Sequence, residues 1–358
     1  MRRSALTLTV ATTVALMLLA SNAMAQYKLT NLDSNQIGWA THIDPLDVNA
    51  WGLVHGPGSP WWISDENSGW STLYSANGTI EGLKVLIPTA GNGPDSPTGN
   101  NGPGSPTGIV YNATASASGA NEFQVQGWAS IFIFATLDGT ISGWAPQSNV
   151  NQAILAVDNS SKKSSYTGLA ITNRPSGNLL YAADNANAVV DVFDSKFNFV
   201  QSFTDPMLPS GFAPFGVQDI NGIVYVAYAA VNGGPGGFVE QFREDGTPVS
   251  PGKPLIHGLP LNQPWGIVGA PKGFGPLSNT LLISNNTNSG TINAFDPFTG
   301  QFVGTLKDAT GHAIRIDQLW GIAFGDGLGS NGAANELFFT AGPANNLAGT
   351  FGSIVFKP

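Results

Sequence analysis

The sequence predicts an all-β fold, a six-bladed β-propeller built from four-stranded antiparallel blades. Three observations carry that expectation. A bulky residue, a glycine and an aliphatic residue recur as a motif six times, strand-length apolar runs follow each copy, and the composition favours turns over helices. The clearest copies are "NAWGLVH" at 49–55, "QPWGIVG" at 263–269 and "QLWGIAF" at 318–324, with looser ones in "SPTGIV", "SYTGLA" and "APFGVQ". Their glycines are Gly52, Gly108, Gly168, Gly216, Gly266 and Gly321, spaced by 56, 60, 48, 50 and 55 residues. Self-similarity at such a period marks an array of supersecondary units.

The composition agrees. Gly (45) and Pro (24) are abundant in the 358 residues, and only 10% are charged, which argues against long solvated helices. Hydrophobic residues at 42% still support a packed core.

The elements follow in order. After Gly52 come "PWWISDENSG" and "STLYSANG"; after Gly108, "SIFIFATLDG" and "TISGWAP"; after Gly168, "NLLYAADNAN" and "AVVDVFDSKF". After Gly216 come "IVYVAYAAVNGG" and "GFVEQFREDG"; after Gly266, "TLLISNNTNSG" and "TINAFDPFTG"; after Gly321, "ELFFTAGPANN" and "GSIVFKP". β-Branched and aromatic runs bounded by Gly, Asn and Asp are the strand signal. A fourth run closes most units, as in "GLKVLIP" and "FVQSFTD", but none follows the sixth. The segment "YKLTNLD" at 27–33 is expected to supply it by pairing near Ile354, a 3+1 closure by the mature N-terminal strand.

The motif glycine belongs on the innermost strand, where a residue without Cβ lets neighbouring blades approach. The bulky residues before it, Trp51, Phe215, Trp265 and Trp320, either wedge between blades or offer ring faces to a ligand. The segment "TAGNGPDSPTGNNGPGSPTG" at 89–108 has no apolar period and reads as a long loop, either functional or a duplication.

Residues 1–25 read as a signal peptide. Arg2 and Arg3 precede an apolar run from Ala5 to Ala20, and Ala23-Met24-Ala25 offers a cleavage site. The run is shorter than the ~20 residues a membrane span needs. Paired arginines leave Sec and twin-arginine export both open. Residues 26–358 are then one propeller domain, secreted or periplasmic, with no integral membrane segment and expected to be monomeric. Losing Arg2 and Arg3 leaves 12 basic residues against 23 acidic ones, a net charge of −11. That balance argues against nucleic acid and anionic membranes. Cysteine is absent, so packing and sheet closure must supply the stability.

The stretches "DPLDVNAWGL", "GSPWWISDENSGWSTLYSANG", "FIFATLDGTISGWAP", "FTDPMLPSGFAPFGVQDI", "LNQPWGI" and "LWGIAFG" resemble a family of secreted, uncharacterised bacterial propeller proteins, some with PEP-CTERM sorting tails. That family is distantly similar to NHL-repeat propellers. The resemblance covers nearly the whole chain after residue 25. It implies a fold and a compartment, and no catalytic residues. "IVFKP" carries no Pro-Glu-Pro motif, so sorting through such a tail is not expected.

Two residue sets are candidates for chemistry at the face around the channel mouth. Asp65, Asp138, Asp184 and Asn285 follow the second strands. They either hydrogen-bond their own turns or form an oxygen-rich ring able to hold Ca²⁺. His42, His257 and His312 lie nine or ten residues before motif glycines, on loops entering blades 1, 5 and 6. Three neutral imidazoles with an open position would make a Zn²⁺ or copper site. No P-loop, no Gly-x-Ser-x-Gly elbow and no cysteine nucleophile occurs. The sequence therefore points to a binding or scaffold protein for a glycan or protein ligand. The alternative is a metal-dependent hydrolase or lyase.

Overall fold

The computed structural model describes residues 26–91, 103–116, 119, 121–174 and 177–358. The expected signal peptide and the middle of the 89–108 insertion fall outside these residues. Six four-stranded antiparallel sheets stand around a common axis, as the repeat predicts.

Strand β1 (Gln26–Ser34) is followed by blade 1, made of β2 (Ala50–Val54), β3 (Trp61–Asp65), β4 (Trp70–Tyr74) and β5 (Val85–Leu86). Blade 2 is β6 (Pro106–Tyr111), β7 (Phe132–Thr136), β8 (Thr140–Trp144) and β9 (Ile154–Asp158). Blade 3 is β10 (Tyr166–Ile171), β11 (Leu180–Asp184), β12 (Val189–Phe193) and β13 (Phe199–Phe203). Blade 4 is β14 (Phe212–Ile220), β15 (Ile223–Ala230), β16 (Phe238–Arg243) and β17 (Ile256–His257). Blade 5 is β18 (Pro264–Gly269), β19 (Leu281–Asn285), β20 (Ile292–Phe295) and β21 (Phe302–Thr305). Blade 6 is β22 (Leu319–Phe324), β23 (Leu337–Ala341) and β24 (Thr350–Lys357), completed by β1. A two-residue strand, His42–Ile43, adds in parallel to the outer edge of β1.

The closure has the expected register. Leu29 faces Ile354 and Tyr27 faces Phe356 in an antiparallel pair, and β1 thereby becomes the fourth strand of the last blade. Tyr27 ties the seam onward to blade 5, donating its hydroxyl to the Phe274 carbonyl at 2.7 Å.

The apolar runs are continuous rather than alternating because each blade is covered on both faces. Strands β3, β7, β11, β19 and β23 are buried at every position. Successive side chains enter different cores. Trp61 and Ile63 pack toward Phe338 and Phe351 of blade 6, while Trp62 packs against Phe132 and Trp144 of blade 2. Six such cores, one at each blade interface, replace a single centre.

Candidate functional site

In every blade the pairing between the innermost and second strands slips at the motif, between Ala50 and Leu53 in blade 1 and correspondingly in the other five. A bulge re-aims the side chain at the slip. Here it turns the residue before the glycine toward the axis. The glycine itself is required by crowding: a Cβ on Gly216 would run into the Trp265 backbone, and one on Gly108 into the Leu169 backbone.

Consequently the four large rings meet across the axis as well as between neighbouring blades. Trp51 and Trp320 stack at 3.6 Å between centroids, and Trp51 meets Trp265 and Phe215 edge-on, each at 6.3 Å. Blades 1 and 4 stand opposite each other, so the Trp51–Phe215 contact crosses the channel. The Trp265 indole donates to the Thr167 carbonyl of blade 3 at 2.9 Å, a second crossing. Trp320 donates to Asn49 Oδ1 at 3.0 Å. The rings form a plug in which Trp51 and Trp320 are buried while Phe215 and Trp265 are half-buried.

Below the plug, the six motif glycines line an axial cavity of about 50 Å³, room for little more than water. Beyond it, at the face where the innermost strands end, the channel widens into a hollow of about 620 Å³. Leu53, Ile109, Ile171, Ile220, Ile267 and Ile322 stand around its wall, one per blade, and about half of the wall's surface is polar. Tyr111, Gln218 and Asn221 supply polar groups, and Gln218, Asn221 and Gly269 are exposed. His55 borders the hollow with both ring nitrogens engaged. Nε2 lies 3.0 Å from the Phe324 carbonyl, and Nδ1 lies 3.2 Å from the Asn331 amide and 3.6 Å from Asp326.

Sequence reasoning expected the site at the opposite face, among the loops that lead into the innermost strands. There, Asp138 accepts from Ser105 N at 2.8 Å, Asp184 from Ser165 N at 3.1 Å, and Asn285 from Asn262 N at 3.1 Å. Each side chain clamps the segment entering its own blade, which is local backbone capping. Asp65 differs: its Oδ2 accepts from Thr72, while its buried Oδ1 has no donor. The histidines stand apart in role. The His42 ring meets the Leu32 carbonyl at 3.1 Å, His312 meets Thr310 at 2.6 Å, and His257 is exposed at the edge of blade 4. Among the described residues no group of three or more His, Cys, Asp or Glu is placed to hold a metal ion. The hollow was missed because aliphatic residues after the glycine read simply as core.

Two mimivirus proteins are similar along nearly the whole chain. The uncharacterised protein R648 of Acanthamoeba polyphaga mimivirus is 30% identical over 351 residues, covering 93% of this chain and 81% of that protein. The chain belongs to the family of R648. L690 of the same virus, also uncharacterised, is 27% identical over 352 residues, covering 93% of this chain and 87% of that protein. These relatives support an uncharacterised propeller family, but they are viral, and the bacterial, secreted origin implied by the resemblance finds no support in them. No protein-family profile matches the chain. Among solved structures, streptogramin B lyase is 12% identical with a TM-score of 0.48, covering 94% of this chain and 99% of that one. Hydrazine synthase of Kuenenia stuttgartiensis is 13% identical with a TM-score of 0.47, covering 85% and 76%. For the R648 family, then, function rests on the geometry above. Among the described residues no helix is long and apolar enough to cross a membrane.

Proposed function

We propose that this R648-family chain is an exported binding or scaffold protein whose ligand site is the hollow at the lower channel mouth, and that the ligand presents an apolar group. The observation that carries this reading is the hollow itself. Its volume of about 620 Å³ lies within the ~300–1,000 Å³ of ordinary ligand pockets, and every blade adds an aliphatic side chain to a wall whose remaining surface is polar. Burial of apolar ligand surface there contributes roughly 25 cal/mol per Å². Tyr111, Gln218 and Asn221 would orient a polar end. Export is supported by Arg2, Arg3, the apolar run and Ala23-Met24-Ala25.

The test is binding of an apolar fluorescent probe to the purified protein, compared with a variant whose hollow is filled. Saturable binding that is lost on filling the hollow supports the reading; binding indifferent to the filling overturns it.

A further inference from the structure

Where the ring is zipped shut, four aspartates from three segments come together. Asp33 lies near the end of β1, Asp44 and Asp47 in the loop leading into β2, and Asp65 at the end of β3. Asp33, Asp47 and Asp65 are 0% exposed. The carboxyls of Asp33 and Asp47 come within hydrogen-bonding reach of each other. Apart from the Asp44 backbone N–H beside Asp33, no N–H or O–H is placed to donate to either of them, and Asp65 Oδ1 is equally without a donor.

The surrounding groups are accounted for. Asp44 accepts from Leu46 N at 2.9 Å and from the buried Tyr74 hydroxyl at 3.3 Å. His42 is paired in register with Asp33 but turns its ring to the Leu32 carbonyl. Glu66 accepts from the Asn49 amide at 2.7 Å. The two ion pairs among the described residues, His55–Asp326 and Arg174–Glu244, lie elsewhere. An ionised carboxylate only accepts, so two of them in contact form a bond only when a proton sits between. Two buried like charges at that range do not both ionise at neutral pH.

We propose that the seam is latched by protons: Asp33 and Asp47 share one drawn from solvent, Asp65 holds another, and alkaline pH releases the N-terminal strand from the first blade. Burial, and then the charge of Asp44, push Asp33 from 3.8 to about 7. Burial and the neighbouring aspartates raise Asp47, and burial chiefly raises Asp65, both well above the usual carboxylate range. For a carboxyl raised in the folded state, the unfolded chain loses the proton first. The latch is therefore complete below about pH 4 and weakens as pH climbs through the folded value near 7. Its release reaches the channel, because Asn49, two residues beyond Asp47, holds the Trp320 indole.

Amide exchange of the full chain, corrected for the intrinsic effect of pH and followed on peptides spanning 26–34 and 350–357, tests the latch. Protection there should fall between pH 4 and pH 9 while peptides of blade 3 keep theirs. Asp33→Asn should flatten the profile, because its amide donates to Asp47 at every pH; Asp47→Asn serves should that variant fail to fold. A flat wild-type profile overturns the proposal, as does an unchanged one in both variants. Protection restored at pH 9 by calcium chloride and removed by a chelator also overturns it, since a cation then holds the seam.

Discussion

Trp51 lies flat on Trp320, with centroids 3.6 Å apart and planes 18° from parallel, so the first and last blades meet ring to ring at the axis. Trp320 also touches Phe215 at 5.6 Å and Trp265 at 6.0 Å, which makes it the centre of the plug. It is 3% exposed. Trp320→Ala should destabilise the fold by about 3–5 kcal/mol, the usual loss for a buried large aromatic. Denaturant unfolding checks this. Trp320→Phe should recover part of the loss by restoring packing without the bond to Asn49. A loss below about 1 kcal/mol for the alanine variant, the scale of an exposed substitution, would mean that the plug does not hold the blades together.

Beneath the plug, hydroxyls stitch neighbouring blades. Ser284 accepts from Gly266 N at 2.7 Å and donates to the Trp320 carbonyl at 2.6 Å, joining blade 5 to blade 6. Thr340 repeats the pattern one blade on, accepting from Gly321 N at 3.0 Å and donating to the Trp51 carbonyl. These hydroxyls satisfy the glycine N–H groups left free by the bulge. Thr340→Val keeps the shape and strands both backbone groups. The expected cost is on the order of 2–6 kcal/mol, from about 1–3 for each of the two buried unsatisfied groups. A thermal melt measures it, and a Tm equal to wild type would show that water or a shift of the strand replaces the hydroxyl.

Blade number, strand order and the closing pair were legible because each follows from local chemistry: a glycine that backbone crowding demands, and apolar runs covered on both faces. Leu29 opposite Ile354 follows from a unit lacking its fourth strand. What Trp51 touches was not legible. The bulge that turns it inward is set by pairing with β3, and its partners lie up to 269 residues away in sequence. Asp138 and Asp184 sat where expected, but a carboxylate capping its own loop and one facing the channel have the same sequence. Asp33 and Asp47 went unnoticed for a related reason. Fourteen positions apart, they meet only because the seam brings β1 beside the first blade.

Gly269 offers a clean probe of the hollow. It lines the cavity, its φ lies outside the left-handed region, and a Cβ placed on it meets nothing within 4 Å. Gly269→Phe should therefore place a ring in part of the hollow without disturbing the core. Affinity for an apolar probe should fall about tenfold or more, a loss of at least about 1.4 kcal/mol, while the melting temperature stays within a few degrees of wild type. Unchanged affinity would place the ligand elsewhere. A collapsed melting temperature would show that Gly269 supports the fold.

A second buried carboxyl makes a pH prediction separable from the seam. Glu240, on β16 of blade 4, is 1% exposed, and neither of its carboxyl oxygens has a donor. Burial, and then the neighbouring Asp205 charge, push it from 4.5 to about 8. Asp205 itself accepts from the backbone N–H groups of Met207 and Gly252. Between pH 4.5 and 8 the folded chain keeps a proton on Glu240 that the unfolded chain has released, so stability falls as pH rises through that window. Glutamine does not ionise, and its amide donates to Asp205 at any pH. Glu240→Gln should match wild type near pH 4 and exceed it at pH 9 by on the order of 2–5 kcal/mol. Urea unfolding at the two pH values measures the difference. Equal stability of both proteins at pH 9 would mean that Glu240 ionises in the folded chain at no cost, with water reaching a carboxyl that the packing otherwise seals.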